Sequence, residues 1–212
     1  MRRKYTIHIE GRPLMIAASA EAGPLPPNWL ALRIDDLREV RPAVQQFEQR
    51  TELAGMLLHS DEVGPVWKEF KGRYRFVQAA GGAVSDEHGR LLAIHRLGRW
   101  DLPKGKVDKG EDIPEAAVRE VMEECGLARV ELEKPLCETW HTYERNGELH
   151  LKRTDWFLMR ASSKEKLVPQ SEEDIGEVRW LDDAGVRILK AETYPSLLSV
   201  VEAWEAAVHP RS

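Results

Sequence analysis

Three glutamates, Glu120, Glu123 and Glu124, stand at i, i+3 and i+4 in one short stretch of the chain. Those spacings share one face of a helix. Like charges so placed disfavour a helix by a few tenths of a kcal/mol per pair, roughly, unless something offsets them. A hard divalent cation, which takes oxygen ligands, would do so. A solvated acidic face on an amphipathic helix is the commoner meaning of such a pattern, and the spacing alone leaves both readings open.

A helix here is expected on independent grounds. Asp112 can act as N-cap, with Glu115 completing a capping box. Pro114 falls in the first turn, where its missing N–H costs nothing. Gly126 follows the last periodic residue, as a C′ glycine does. At about 100° per residue, Ala117, Val118, Val121, Met122 and Cys125 gather on one side, and Ala116, Arg119, Glu120, Glu123 and Glu124 on the other. The first side suits a core and the second carries nearly all the charge.

The surrounding register narrows the reading. Gly105, Glu111, Arg119, Glu120, Val121, Glu123, Glu124, Gly126 and Leu127 match G-x5-E-x7-R-E-U-x-E-E-x-G-U, with U aliphatic. With seven fixed letters and two aliphatic positions, a chance match over a chain of this size is on the order of one in 10⁷. This is the Nudix box, and the chain resembles the Nudix hydrolase family with no departure inside the motif. The resemblance implies an α/β (α+β) fold, an α/β/α sandwich with a mixed sheet, over residues 75–212. It implies metal-assisted hydrolysis of a phosphoanhydride by a pyrophosphohydrolase, with Mg²⁺ as cofactor and Mn²⁺ as substitute. Carried over, the metal ligands are Glu120, Glu123, Glu124 and the main chain at Gly105. Arg119 and Glu111 are expected to pair across the loop–helix junction and orient that set. The general base is either Glu120 or a glutamate on a loop shortly before a strand containing Trp180, where Glu173 is preferred over Glu172.

Substrate contacts are expected outside the box. Lys104 and Lys106 flank its glycine, and Arg96 and Arg99 are further cations within reach of a phosphate. The run Leu102-Pro103-Lys104-Gly105-Lys106 resembles branches that cleave diadenosine polyphosphates, inositol pyrophosphates or oxidised nucleoside triphosphates. Tyr143 falls one position short of a tyrosine common in diadenosine polyphosphate hydrolases, and Tyr143, His141 or Trp140 could stack a base. Thr142 stands where the ADP-ribose branch favours proline, which counts against that substrate. The expectation leans to a nucleoside diphosphate linked to another moiety, as in a diadenosine polyphosphate or an oxidised nucleoside triphosphate. The alternative is a non-catalytic regulator that uses the same fold as a ligand sensor.

The elements that must position these residues follow from the pattern. Residues 1–74 read as a small α/β domain of unassigned role: strands at 5–9 and 14–18, a proline-rich loop at 22–28, and helices at 36–52 and 62–74. It is compatible with dimerisation or with a simple extension of the fold. Strands are expected at 76–84, 91–96, 130–132, 137–143, 150–159 and 178–181, with a closing helix at 194–208. The 212 residues carry 42% hydrophobic and 32% charged residues, enough for a core and without a run of membrane-spanning length. The start, MRRKYTIHIEGRP, has no apolar run of signal-peptide length. Two cysteines fit buried thiols in a reducing cytoplasm better than a disulfide framework. A net charge of −5 argues against nucleic-acid binding through a broad basic surface. It leaves room for a small phosphorylated ligand, and no membrane partner is expected.

Overall fold

The computed structural model describes residues 4–209, so the basic start, residues 1–3, lies outside them, as do residues 210–212. The chain divides into two compact units. One comprises the residues up to 77 together with 140–152, and the other comprises 78–139 with the residues from 153 on. This differs in one respect from a division at 74/75: the tip of a hairpin deep in the second half groups with the N-terminal residues.

In the first unit, β1 (Tyr5–Ile9) and β2 (Arg12–Ala18) form the expected hairpin, with Glu10 and Gly11 both at positive φ, 51° and 78°. Two further strands were not expected, β3 (Trp29–Arg33) and β4 (Gly55–Ser60), and both run parallel: β2 beside β4 and β4 beside β3. Between them lies α1 (Val40–Gln49), entered through a short 3₁₀ turn capped by an Asp36–Glu39 capping box, and after β4 comes α2 (Val63–Lys71). Val40, Val44, Phe47, Val66, Trp67 and Phe70 pack their apolar faces against Ile7, Leu14, Ile16, Met56 and Leu58. Trp140 and Leu151 from the hairpin tip belong to the same core.

The second unit holds most of β5 (Arg75–Ser85), then β6 (Leu91–Arg96), β7 (Arg99–Asp101), β8 (Lys104–Lys106) and α3 (Ile113–Cys125). After these come the outer parts of β9 (Glu131–Arg145) and β10 (Glu148–Arg160), then β11 (Ile175–Leu181), α4 (Asp183–Glu192) and α5 (Pro195–Val208). Its strand order is β11-β6-β5-β10-β9, with β7 against β6 and β8 against β5. Successive residues of a strand face opposite sides, and here both sides are filled. Leu91, Ala93, Trp156 and Leu158 pack with Leu189, Leu197, Val201 and Trp204 of α4 and α5. Leu92, Ile94, Phe157 and Met159 pack with Ala117, Val121 and Cys125 of α3. A sheet buried on both faces reads as continuous apolar runs, which is what LLAI and WFLM are. The result is the expected α/β/α sandwich. Where two strands at 130–132 and 137–143 were expected, β9 is continuous through Pro135. In this unit it is an edge strand, where proline's missing donor is tolerated.

Candidate active site

The box helix α3 forms much as its sequence dictates, with one local correction. Asp112 is extended and precedes the first turn, but its side chain makes no cap hydrogen bond, so the Asp112–Glu115 capping box is absent. The loop is closed one turn earlier instead. The Asp108 N–H donates to Glu111 Oε2 at 2.9 Å, and the Glu111 N–H donates to the Asp108 carbonyl at 3.1 Å. Gly126, at φ 68°, ends the helix in the left-handed conformation that suits glycine at this position.

Arg119 organises the charged face. Its Nε and Nη2 donate to the two oxygens of Glu111 at 2.7 and 2.9 Å. Nη1 donates to Glu120 at 2.8 Å and Glu123 at 3.0 Å, and Nη2 also donates to the Lys106 carbonyl at 3.1 Å. A guanidinium has five N–H groups, and five acceptors receive them here. The hydrogen bonds from Arg119 and from the Asp108 amide hold the Glu111 carboxyl down to about 2. The structure thus gives Arg119 and Glu111 the architectural contacts expected of them.

The three glutamates do not share one setting. Glu120 and Glu123 meet around Arg119 Nη1, whereas Glu124 turns inward and is 1% exposed. Ala116, also expected outward, is buried, while Met122, expected inward, is only half-buried. The reason is tertiary: β8 packs against the Ala116–Glu124 side of α3. Glu124 Oε2 accepts the Lys104 N–H at 2.8 Å. Desolvation outweighs the nearby Lys104 and Arg96 cations and pushes its carboxyl up to about 7. Burial also raises Glu120, against the opposing pull of Arg119. Gly105 fits closely against this face. A Cβ there would lie 2.0 Å from Glu120 Oε2, so the carboxylate rests where any side chain would stand.

Of the four expected phosphate-binding cations, three have partners within the protein. Lys104 Nζ lies 2.9 Å from Asp101 Oδ2 with its side chain mostly buried. Burial alone would lower its ammonium, but Asp101 and Glu124 together outweigh that and hold it above the ordinary lysine value. Arg96 donates to Glu173 at 2.8 Å and stands 3.8 Å from Glu124. Lys106 is exposed, and the Arg99 guanidinium sits over the Tyr194 ring at 5.4 Å. Glu173 belongs to a 3₁₀ turn, Ser171–Glu173, and is close enough to Glu120 to disfavour its ionisation. Asp101, the buried partner of Lys104, was missed in the sequence, where it was given no role. Tyr143 stacks on His150 at 4.9 Å, and Trp140 is buried edge-on to Trp67. Both belong to the first unit, and the box residues belong to the second. For Trp140 this corrects the stacking expectation, because the ring is core.

The oxygen set suits a hard cation. Glu120, Glu123 and Glu124 are carboxylates, Gly105, paired with Ala80 of β5, brings its main chain close against Glu120, and burial disfavours the Glu124 charge as it stands. Among the described residues, no three acidic, histidine or cysteine side chains are closed into a cage, because Arg119 holds two of the glutamates and Lys104 the third.

A family model, the NUDIX domain, matches residues 75–199, more than half of the chain. The chain belongs to the Nudix family. It is a Nudix pyrophosphohydrolase, a hydrolase acting on acid anhydrides. Among its relatives, an RNA pyrophosphohydrolase of Pelagibacter ubique is 33% identical over 117 residues, covering 48% of this chain and 73% of that protein. A putative 8-oxo-dGTP diphosphatase of Bacillus subtilis is 45% identical over 53 residues, covering 24% and 36%. A solved Ap4A hydrolase of C. elegans, in a binary complex, aligns with a TM-score of 0.49 at 23% identity, covering 62% of this chain and 97% of that one. Among the described residues of the Nudix protein, no helix is long and apolar enough to cross a membrane.

Proposed function

We propose that this Nudix protein hydrolyses a phosphoanhydride in a nucleoside diphosphate linked to another moiety, a diadenosine polyphosphate or an oxidised nucleoside triphosphate, with Mg²⁺ or Mn²⁺. The supporting observation is the acidic face of α3 set against Gly105, with Glu120 lying where a side chain at 105 would be. Glu120, Glu123, Glu124 and the Gly105 main chain would hold the cation. When bound, a divalent ion neutralises phosphate oxygens and lowers the pKa of bound water. The protein's own part is positional. Arg119 fixes the Glu120 and Glu123 carboxylates through Nη1. Glu173, half exposed and with a charge that acts on Glu120, accepts the water's proton at its carboxylate.

A second substrate class, RNA, is suggested by the name of the Pelagibacter relative, an RNA pyrophosphohydrolase. A panel in Mg²⁺ and in Mn²⁺ tests both readings: diadenosine tetraphosphate, 8-oxo-dGTP, ADP-ribose, an inositol pyrophosphate and a 5′-triphosphate oligoribonucleotide, each followed by phosphate or diphosphate release. Turnover of the first two above the rest supports the proposal. Turnover of none favours the ligand-sensing alternative. In the same assay Glu173→Gln is expected to cut kcat by about 10²-fold or more, within the range for loss of a general base, while Mn²⁺ affinity changes little. Wild-type rates would remove Glu173 from the mechanism.

A further inference from the structure

Arg96 ends β6 and lies opposite Ile175 of β11, next to a register shift between Ile175 and Glu177. Immediately before Ile175, Asp174 takes the left-handed conformation, φ 58°, and closes the turn that carries Glu173. That turn has its own hydrogen bonds, from the Glu173 N–H to the Gln170 carbonyl at 3.2 Å and from the Asp174 N–H to the Ser171 carbonyl at 3.1 Å. The stretch leading into it is tied to the last turn of α3. The Val168 N–H donates to the Cys125 carbonyl at 2.9 Å, and the Gln170 N–H donates to the Glu124 carbonyl at 3.3 Å. These are a few backbone bonds of 2.9–3.3 Å, and none of them engages the Glu173 side chain. Its side chain is 51% exposed, and its charge disfavours ionisation of Glu120. Repulsion between like charges and the pull of solvent both favour the outward rotamer. One group opposes them. Arg96 Nη2 donates to Glu173 Oε2 at 2.8 Å, while Nη1 faces Glu124 at 3.8 Å from a side chain only 26% exposed.

We propose that Arg96 is a positioning residue: its guanidinium, anchored at the end of β6 between Glu124 and Glu173, holds the 171–174 turn with Glu173 directed at the box-helix carboxylates. This rests on the reading of Glu173 as proton acceptor only for its catalytic consequence, because the tether itself is a property of the free protein. Arg96 therefore acts through Glu173, and the cation expected to grip phosphate has a different task.

Hydrogen–deuterium exchange on metal-free protein, read at the Glu173 and Asp174 amides, tests the tether without turnover. In Arg96→Met, exchange there is expected to rise about fivefold, the scale of a half-exposed ion pair, with the α3 amides unchanged. Arg96→Lys should restore part of the protection. Glu173→Ala should match Arg96→Met, and the double variant should be no worse than either single one, as for two residues acting as a unit. On whichever panel substrate the wild type hydrolyses, Arg96→Met should lower kcat and leave KM within about twofold, the signature of a lost transition-state interaction. Unchanged exchange in Arg96→Met would overturn the proposal. So would a raised KM with kcat retained, which would make Arg96 a substrate contact. If the wild type hydrolyses nothing on the panel, the hydrolase reading fails while the exchange result still decides the tether.

Discussion

Replacing Gly105 by alanine separates the fold from the site. Gly105 is not among the residues at positive φ, so alanine meets no backbone strain there, and fewer unfolded conformations favour it by about 0.4–1 kcal/mol. The nearest obstacle is Glu120. The new Cβ would lie 2.0 Å from Oε2, 2.1 Å from Cδ and 2.4 Å from Oε1, against an ordinary contact of 3.4 Å or more. The carboxylate must therefore retreat by more than 1 Å, roughly, and as the far end of a flexible side chain it can do so at the cost of its hydrogen bond from Arg119, about 1.5 kcal/mol. A misplacement of about 1 Å in a catalytic group costs about 10²-fold in rate. Gly105→Ala is thus expected to melt within a few degrees of wild type, bind Mn²⁺ at least about tenfold more weakly, and lose about 10²-fold in kcat. The assays are thermal melting, electron paramagnetic resonance of free Mn²⁺, and steady-state turnover. The same change in a Glu120→Ala background should cost almost nothing further, since the group displaced is already gone. Wild-type Mn²⁺ affinity and turnover in Gly105→Ala would refute the reasoning. A full loss persisting in the Glu120→Ala background would refute it equally, because the methyl group would then act on something other than Glu120.

Other outcomes follow from single contacts. Glu87 accepts hydrogen bonds from the Ser163 N–H at 3.0 Å and Oγ at 2.8 Å, which hold its carboxyl down to about 2 from an ordinary 4.5. A depressed carboxyl stabilises fully above its unfolded value and loses that effect as pH falls through the folded one. The melting gap between wild type and Glu87→Gln should therefore be open at pH 7 and closed by about pH 2. Ser85 Oγ accepts the buried Trp204 Nε1–H at 2.8 Å, so Ser85→Ala should cost about 1–3 kcal/mol in urea unfolding by leaving that donor unsatisfied. Burial raises the Cys125 thiol and pushes Cys137 up to about 11. A thiol reagent at pH 8 should accordingly find neither in the native protein and both after denaturation.

What could be read in the chain and what could not differ in physical origin. The α3 helix, its Gly126 stop and the Arg119–Glu111 pair were legible because each is local: spacing on a helix fixes which residues face each other, and a left-handed cap asks for glycine. The strand β6 was legible at its observed bounds as a four-residue apolar run that follows a loop of turn residues. β4 was not. Its Met-Leu-Leu run is buried between two parallel neighbours and shows no alternation to read. β3 follows a proline-rich stretch and is a half-buried edge. In α4 the Asp182 cap was present, but Gly185 one turn in weakened the signal. Within the site, the helical wheel put Glu124 with its two companions, and only the packing of β8 shows that it is buried. Lys104 looked like a phosphate contact by its place beside the box glycine, and nothing in the sequence marks Asp101 as the partner that draws it inward. Arg96 and Glu173 are 77 residues apart, and no one-dimensional pattern connects them.

The hairpin tip at 140–152 makes the N-terminal unit discontinuous in the chain. Its core packs Trp140 and Leu151 with Tyr5, Ile7 and Trp67, so those first residues leave the ribosome well before the side chains that complete their interior exist. Synthesis at roughly 5–20 residues per second makes that delay a matter of seconds, during which β1, β2 and α2 wait with apolar surface exposed. By the time Leu151 emerges, the whole box helix has already been made. The two units are thus bound to a common schedule of maturation, and a version of this protein begun at residue 75 would carry Trp140 and Leu151 with no interior to enter.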